Sequence, residues 1–365
     1  MDSLTHIHGG DLDAIERIYG IPKNEISDFS GNINPLGFPV RAAEKLAANI
    51  SMVSSYPDKN YWALRKSIGE YTGADPKNIV VGNGSTELIS TFIKSAGAKK
   101  AVIMGPAYSE YENAIKLSGK SFEYFELRED ENFRLNLDRL LSALGEDVGL
   151  FVACNPNNPT GTAITIGQME KILEHCKKNG ISVMVDETYI EFSDKLENVC
   201  SIPLTAKYDN LFVIRGISKF FAAPGLRLGY GITSSAKFHQ LLAENQDPWS
   251  VNILASYAGE LIFSDKDFME ETKALISGER KKIFDELRKW KNIKVYDSDS
   301  NFILIRLLTD KITAAEIFEY MVRKKMVIRD AASFTFLDES YLRFCILTPE
   351  ENERLLRELK SIVEQ

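Results

Sequence analysis

Lys219 and Arg227, eight residues apart, lie on a short loop between two apolar runs, Leu211 to Ile214 and Leu228 to Ile232. The first is rich in β-branched and aromatic residues and reads as a buried strand, the second reads as another, and the lysine is thereby placed at a strand's C-terminal exit. Pro224-Gly225 restricts and then frees the backbone, so the loop turns sharply. A lysine on a loop is most simply a solvated charge, but an arginine fork beside it suits a phosphate. A second possible anion site is Val81-Gly82-Asn83-Gly84-Ser85-Thr86-Glu87, a strand-to-helix turn. Free N–H groups at the positive end of a helix dipole attract anions, although Ser85 or Thr86 could be a plain cap there. As a dinucleotide fingerprint the segment fails, because Glu87 stands where the third glycine belongs. The apolar run from Ile181 ends in two acids, Asp186 and Glu187. One of them must be buried or paired, which is costly without a partner, and Glu187 reads as the solvent-facing one.

These residues need a scaffold, and the chain alternates helical and strand periods from Val40 onward. That is the pattern of an α/β protein with a mainly parallel sheet covered by helices. Strand-like runs fall at 79–81, 101–104, 121–126, 149–153 and 181–185, and helical spacing at 41–49, 61–71, 86–96, 109–117, 135–144 and 167–179. A long helical stretch broken near 264–266 follows, then strands at 301–306, 326–328 and 341–346 around a helix at 313–325 and before a last one at 349–363. Asn158, in a stiff turn with two X-Pro steps, Asp186 and Lys219 each lie just past a different strand's C-terminal end, where open α/β sheets bind ligands. Tyr108 follows the strand 101–104 in the same way. Residues 1–40, with His8-Gly9-Gly10 and Asp28 to Gly37, are rich in turn formers and read as an ordered arm.

Composition narrows the function. A chain of 365 residues with 44% hydrophobic content is that of a globular enzyme. Its net charge of −8, spread along the chain, offers no basic footprint for nucleic acid, so a small-molecule substrate is expected. No apolar stretch has the roughly 20 residues of a membrane span and no signal peptide is recognised, which predicts a cytoplasmic protein. The four cysteines are too widely spaced for zinc or a redox pair, and His6 with His8 lacks a third ligand, so no metal is expected.

The motif Ser218-Lys219, followed by Arg227-Leu228-Gly229, together with Asn157-Asn158-Pro159-Thr160-Gly161, resembles the fold-type-I pyridoxal 5'-phosphate (PLP) enzymes of the class I/II aminotransferase superfamily. The resemblance covers nearly the whole chain. It is closest to the L-threonine-O-3-phosphate decarboxylase branch, itself similar to histidinol-phosphate aminotransferases, through HGG with DFSGNINPLG at 8–37, KFFAAPGLRLGY at 219–230 and PWSVN at 248–252. It implies a three-layer α/β/α large domain over 41–255, a smaller α+β C-terminal domain over 256–365, and an N-terminal arm, 1–40, that contributes to the active site. Lys219 is then the Schiff-base lysine, with Arg227, Ser218, Gly82, Asn83 and Gly84 around the phosphate. Tyr108 stacks on the cofactor ring, Asp186 holds its nitrogen, and Asn158 and Tyr189 bond its O3' oxygen. His8, Gly9, Asn32, Asn158, Arg329 and Arg343 contact an anionic amino-acid substrate. Tyr56 reaches the cofactor of a second subunit in a homodimer. Three residues depart from that branch: Asp330 beside Arg329, the hydroxyl of Tyr189, and Leu347 in place of a basic residue. The reaction implied is decarboxylation of threonine phosphate in cobalamin side-chain synthesis, with transamination of the histidinol-phosphate type as the alternative. A non-catalytic PLP-fold sensor is disfavoured, because only about 40 residues precede the sheet and no basic helix-turn-helix pattern is present.

Overall fold

The computed structural model describes residues 9–96 and 100–365. In chain order the strands are β1 Ser27–Asp28, β2 Ile79–Asn83, β3 Lys100–Gly105, β4 Ser121–Glu126, β5 Leu150–Cys154, β6 Ser182–Asp186, β7 Leu211–Gly216, β8 Leu228–Ile232, β9 Ile293–Val295, β10 Phe302–Leu307, β11 Met326–Val327, β12 Arg329–Asp330 and β13 Tyr341–Cys345. Seven of them form one sheet in the order β2-β8-β7-β6-β5-β3-β4. Only β8 runs against its neighbours, and the remaining pairs are parallel. The expected strands and helices up to residue 179 match those observed to within two residues at each end.

The sheet is parallel because its strands are apolar without alternation. Every residue of β5, β7 and β8 is buried, as covering both faces with helices requires. Helices such as Gly84–Ser95, Ser109–Leu117 and Ile166–Lys178 provide that cover, and the last begins with a Thr165/Gln168 capping box. The predicted break in the long helix falls at Phe263 to Asp265, where the Asp265 carboxylate accepts from Phe268 N–H and restarts the helix.

A second sheet, β12-β13-β10-β9, is antiparallel throughout. The arm is sewn beside it: β1 and β11 form a two-stranded parallel sheet of their own, and Phe29 donates to the Val327 carbonyl and accepts from the Cys345 N–H in β13, both 2.8 Å. A few residues later Asn34 N–H donates to the Lys219 carbonyl at 3.0 Å and the Asn34 amide to that of Phe220 at 2.7 Å. The arm therefore joins the small sheet to the lysine loop. No described helix is long and apolar enough to cross a membrane.

Candidate active site

Lys219 leaves β7 with its Nζ donating to the Gly31 carbonyl of the arm at 2.7 Å. Burial, followed by the charge of Arg343, brings the amine down to about 8. A fraction of it is therefore uncharged, and nucleophilic, near neutral pH.

Arg227 closes the other end of the loop in the left-handed region, at φ 58°. Its guanidinium lies over the first turn of the helix Gly84–Ser95, so close that a Cβ on Gly84 would stand 2.3 Å from Nη2. Gly229 lets β8 approach the same turn, since its Cβ would meet Ser85 N at 2.4 Å. A fixed cation and the free N–H groups of a helix start thus face one point, an arrangement that holds a phosphate. Asn83 precedes the helix and gives its N–H to Glu87 at 2.6 Å, while Gly82 is buried in β2 and Ser218 is half-buried beside the lysine. Tyr108 borders both ends of the site, hydrogen-bonded to Thr86 and close enough to Asp186 and Arg227 for their charges to act on its hydroxyl.

Asp186, the last residue of β6, is buried. Its Oδ1 accepts from the Thr188 N–H at 2.9 Å and hydroxyl at 2.5 Å, and its Oδ2 from the Tyr111 hydroxyl at 2.8 Å. Burial raises its pKa against these donors.

Arg329 and Arg343 stand directly opposite each other on β12 and β13. Like charges in that register repel, and the burial of each, with Arg343 acting on Arg329, lowers both; Arg329 falls to about 10. Arg343 donates to the Asn158 Oδ1 and, at 2.6 Å, to the Ser30 carbonyl, and its Nε is buried without a partner. No described carboxylate pairs with it. Phe302 lies 5.3 Å and Phe334 5.9 Å from the Arg343 guanidinium. Gly9 packs between the Ser30 carbonyl and the same guanidinium. Asn32 donates to the Tyr189 hydroxyl at 3.4 Å and keeps an unpartnered, buried Oδ1. The arm, the strand ends and the small sheet thus meet around Lys219.

Glu187 is not solvent-facing: it is fully buried, its Oε2 accepts from Arg215 Nη2 at 2.8 Å and Nε at 3.0 Å, and its Oε1 accepts the Ser201 N–H at 2.5 Å. The ion pair makes burial tolerable, and nothing in the strand's pattern announced Arg215 as its partner. Asp330, beside Arg329, accepts the Ala332 N–H on Oδ1 at 2.9 Å and its charge also acts on Arg329, which donates to Ser333 at 2.7 Å. Tyr56 stands apart from the cluster, 80% exposed with its ring 5.1 Å from that of Trp249. His8 lies outside the described residues. Sequence reasoning missed Ser30, Gly31, Tyr111 and Thr188. Their signals were local: Asp28-x-Ser30 and Asp186-x-Thr188 both form Asx-type turns, and Tyr111 is one helical turn from Tyr108.

Residues 23–359 match the family described as Aminotransferase class I and II, and the chain belongs to that family of PLP-dependent enzymes. A threonine-phosphate decarboxylase of Salmonella typhimurium is 32% identical over 100% of this chain and 98% of its own length. A protein of Caldanaerobacter subterraneus subsp. tengcongensis, to which the same name is given provisionally, is 38% identical over 92% of this chain and 89% of its own. Among solved structures, histidinol-phosphate aminotransferase from Clostridium acetobutylicum superposes with a TM-score of 0.85 at 33% identity, covering 92% of this chain and 98% of that one.

Proposed function

We propose that the chain is a PLP-dependent carboxy-lyase acting on L-threonine O-3-phosphate. The observation that carries this reading is the register pair Arg329 and Arg343, which offers two cations to a substrate with two anionic ends. The cofactor reading is supported by three features: an anion cradle at Arg227 and the helix start, a buried acid with acceptor capacity left at Asp186, and an amine of lowered basicity at Lys219. When bound, PLP supplies an electron sink for a bond at the substrate's Cα. Lys219 would hold the cofactor aldehyde and Tyr108 would cover the ring, with Gly82, Asn83, Gly84, Ser218 and Arg227 at the phosphate and Asn158 and Tyr189 at the O3' edge.

The chain's own residues then choose the bond. Arg329 and Arg343 fix the anionic groups, and Gly9, Asn32 and Asn158 line the same space. The orientation they impose lets the carboxylate leave as CO2, and a proton takes its place at Cα. Lys219, close to its midpoint at neutral pH, is suited to move that proton. The balanced product is 1-amino-2-propanol phosphate. If the carboxylate is held flat instead, Cα–H is the bond presented, and transamination follows; the hydroxyl of Tyr189 and the aminotransferase superposition favour keeping this second reading.

Incubation with threonine phosphate, serine phosphate and histidinol phosphate, with and without 2-oxoglutarate, decides between them. Release of CO2 from threonine phosphate without an oxo acid supports the lyase, and glutamate formation that requires 2-oxoglutarate overturns it. The division at 40/41 and 255/256 belongs to the same proposal, supported by the separation of the seven-stranded sheet from the four-stranded one. So does a cytoplasmic homodimer: Val40, Ile50, Val53, Tyr56, Trp62 and Trp249 are all exposed, and sedimentation at a mass of one chain would remove the role given to Tyr56.

A further inference from the structure

Asp186 is buried, and the groups that act on it are neutral donors and one further acid. Tyr111 and Tyr108 approach from the helix Ser109–Leu117, Cys154 is its register partner on β5, and Glu187, Thr188 and Tyr189 follow on its own segment. An ionised carboxylate has about four lone-pair directions. Both on Oδ1 are taken by Thr188, and one on Oδ2 is taken by Tyr111. A single acceptor direction remains, on the oxygen that Tyr111 holds. Tyr111 is itself 1% exposed and packs edge-on against Tyr108 at 5.7 Å, so one helical turn sets both rings.

We propose that Tyr111 is a positioning residue: its hydroxyl holds the Asp186 carboxylate ionised and aimed, with Thr188 as its counterpart on the other oxygen, so that the one open lone pair meets a ring N–H. This rests on the PLP reading of the site. Without the Tyr111 donor, the carboxylate becomes the stronger base and draws the shared proton away from the ring nitrogen, which weakens the electron sink. Thr188 acts through its neighbouring oxygen in the same direction.

The test compares Tyr111→Phe and Thr188→Val with the wild-type full chain. In the cofactor-free protein, 13C-labelled aspartate, with Asp186 assigned by its loss in Asp186→Asn, gives the carboxyl's titration midpoint. In the reconstituted protein, PLP labelled with 15N in the ring reports the protonation of that nitrogen. Tyr111→Phe is expected to raise the Asp186 midpoint, move the 15N signal toward neutral pyridine, weaken PLP binding about tenfold and lower kcat about tenfold, with KM for substrate nearly unchanged. Thr188→Val, which keeps the backbone donor, is expected to do the same to a smaller degree. If both variants leave the carboxyl midpoint and the 15N signal at their wild-type positions, the proposal is overturned, whatever happens to activity or melting temperature. If the wild type does not take up PLP, the functional reading fails. The cofactor-free titration then still shows whether Tyr111 governs Asp186.

Discussion

Two neighbouring acids, Asp186 and Glu187, leave the same strand end toward opposite faces of the sheet, and the two faces treat charge in opposite ways. On the Glu187 side, Arg215 gives two N–H groups to one Glu187 oxygen and has Glu191 at 3.8 Å, with all three buried. On the Asp186 side, Arg343 and Arg227 are near enough for their charges to act on Lys219, and Arg343 on Arg329; Arg343 there is hydrogen-bonded to neutral oxygens only, and Asp186 to neutral donors. The first cluster sets one arginine against two buried acids, and burial raises Glu191 to about 7, so the charge is mostly balanced within the fold. In the second, Arg343 has no described carboxylate in salt-bridge contact and Asp28 acts on it and on Lys219 only through space, so the balance is looser there, and this is the side to which the proposed anionic substrate is assigned.

The largest test of this contrast is Lys219→Ala. It should reduce turnover on the order of 10^3-fold or more without lowering the unfolding midpoint in urea, since the covalent and proton-transfer roles proposed for the lysine would be lost together while the burial of an amine is relieved. Glu187→Gln should do the reverse. Breaking a buried pair leaves Arg215 with Glu191 alone, and urea unfolding should show a loss of roughly 3 kcal/mol. If instead Glu187→Gln unfolds like the wild type and loses activity, the division between faces is wrong.

Arg343→Gln should raise KM for threonine phosphate about 10- to 100-fold. Its effect on stability should be under about 1 kcal/mol, because removing a buried cation without a described acid partner relieves desolvation while two bonds to neutral oxygens are lost. Isotherms and urea curves on one preparation separate the two effects.

The smallest effect concerns pH. Lys219 is lowered to about 8, below its unfolded value, so between about 8 and 10.5 the unfolded chain binds the extra proton. The stability that Lys219 withholds is fully absent below about 8 and returns as pH rises through that window. Amine-specific modification of the cofactor-free chain should accordingly reach half its maximal rate near pH 8. In Arg343→Gln that midpoint should rise but stay below an ordinary lysine's value of about 10.4, because burial is the larger cause.

The strands and helices were legible because apolar period and turn chemistry are local: the run 211–214 and the break at Asp265 needed no distant partner to be read. The positions of Lys219, Asp186 and Asn158 were legible for a related reason, since each is a polar residue at or just past the end of an apolar strand, and such an exit in a parallel sheet has one place to point, whereas Arg227 stands just before β8. Glu187 was misread because alternation decides which way a side chain points but not whether an arginine waits there. Arg215 comes from the adjacent strand, and only strand pairing makes them neighbours.

What the sequence determined by itself was the sheet, the lysine loop and the chemistry its residues could perform, because each is written in contiguous residues. Tertiary structure alone decided which charges are neutralised. The register that sets Arg329 against Arg343, the arm that brings Gly31 to the amine, and the helix that delivers Tyr111 to Asp186 all join residues far apart in the chain. Electrostatic energy depends on distance through space, which spacing along the chain does not specify.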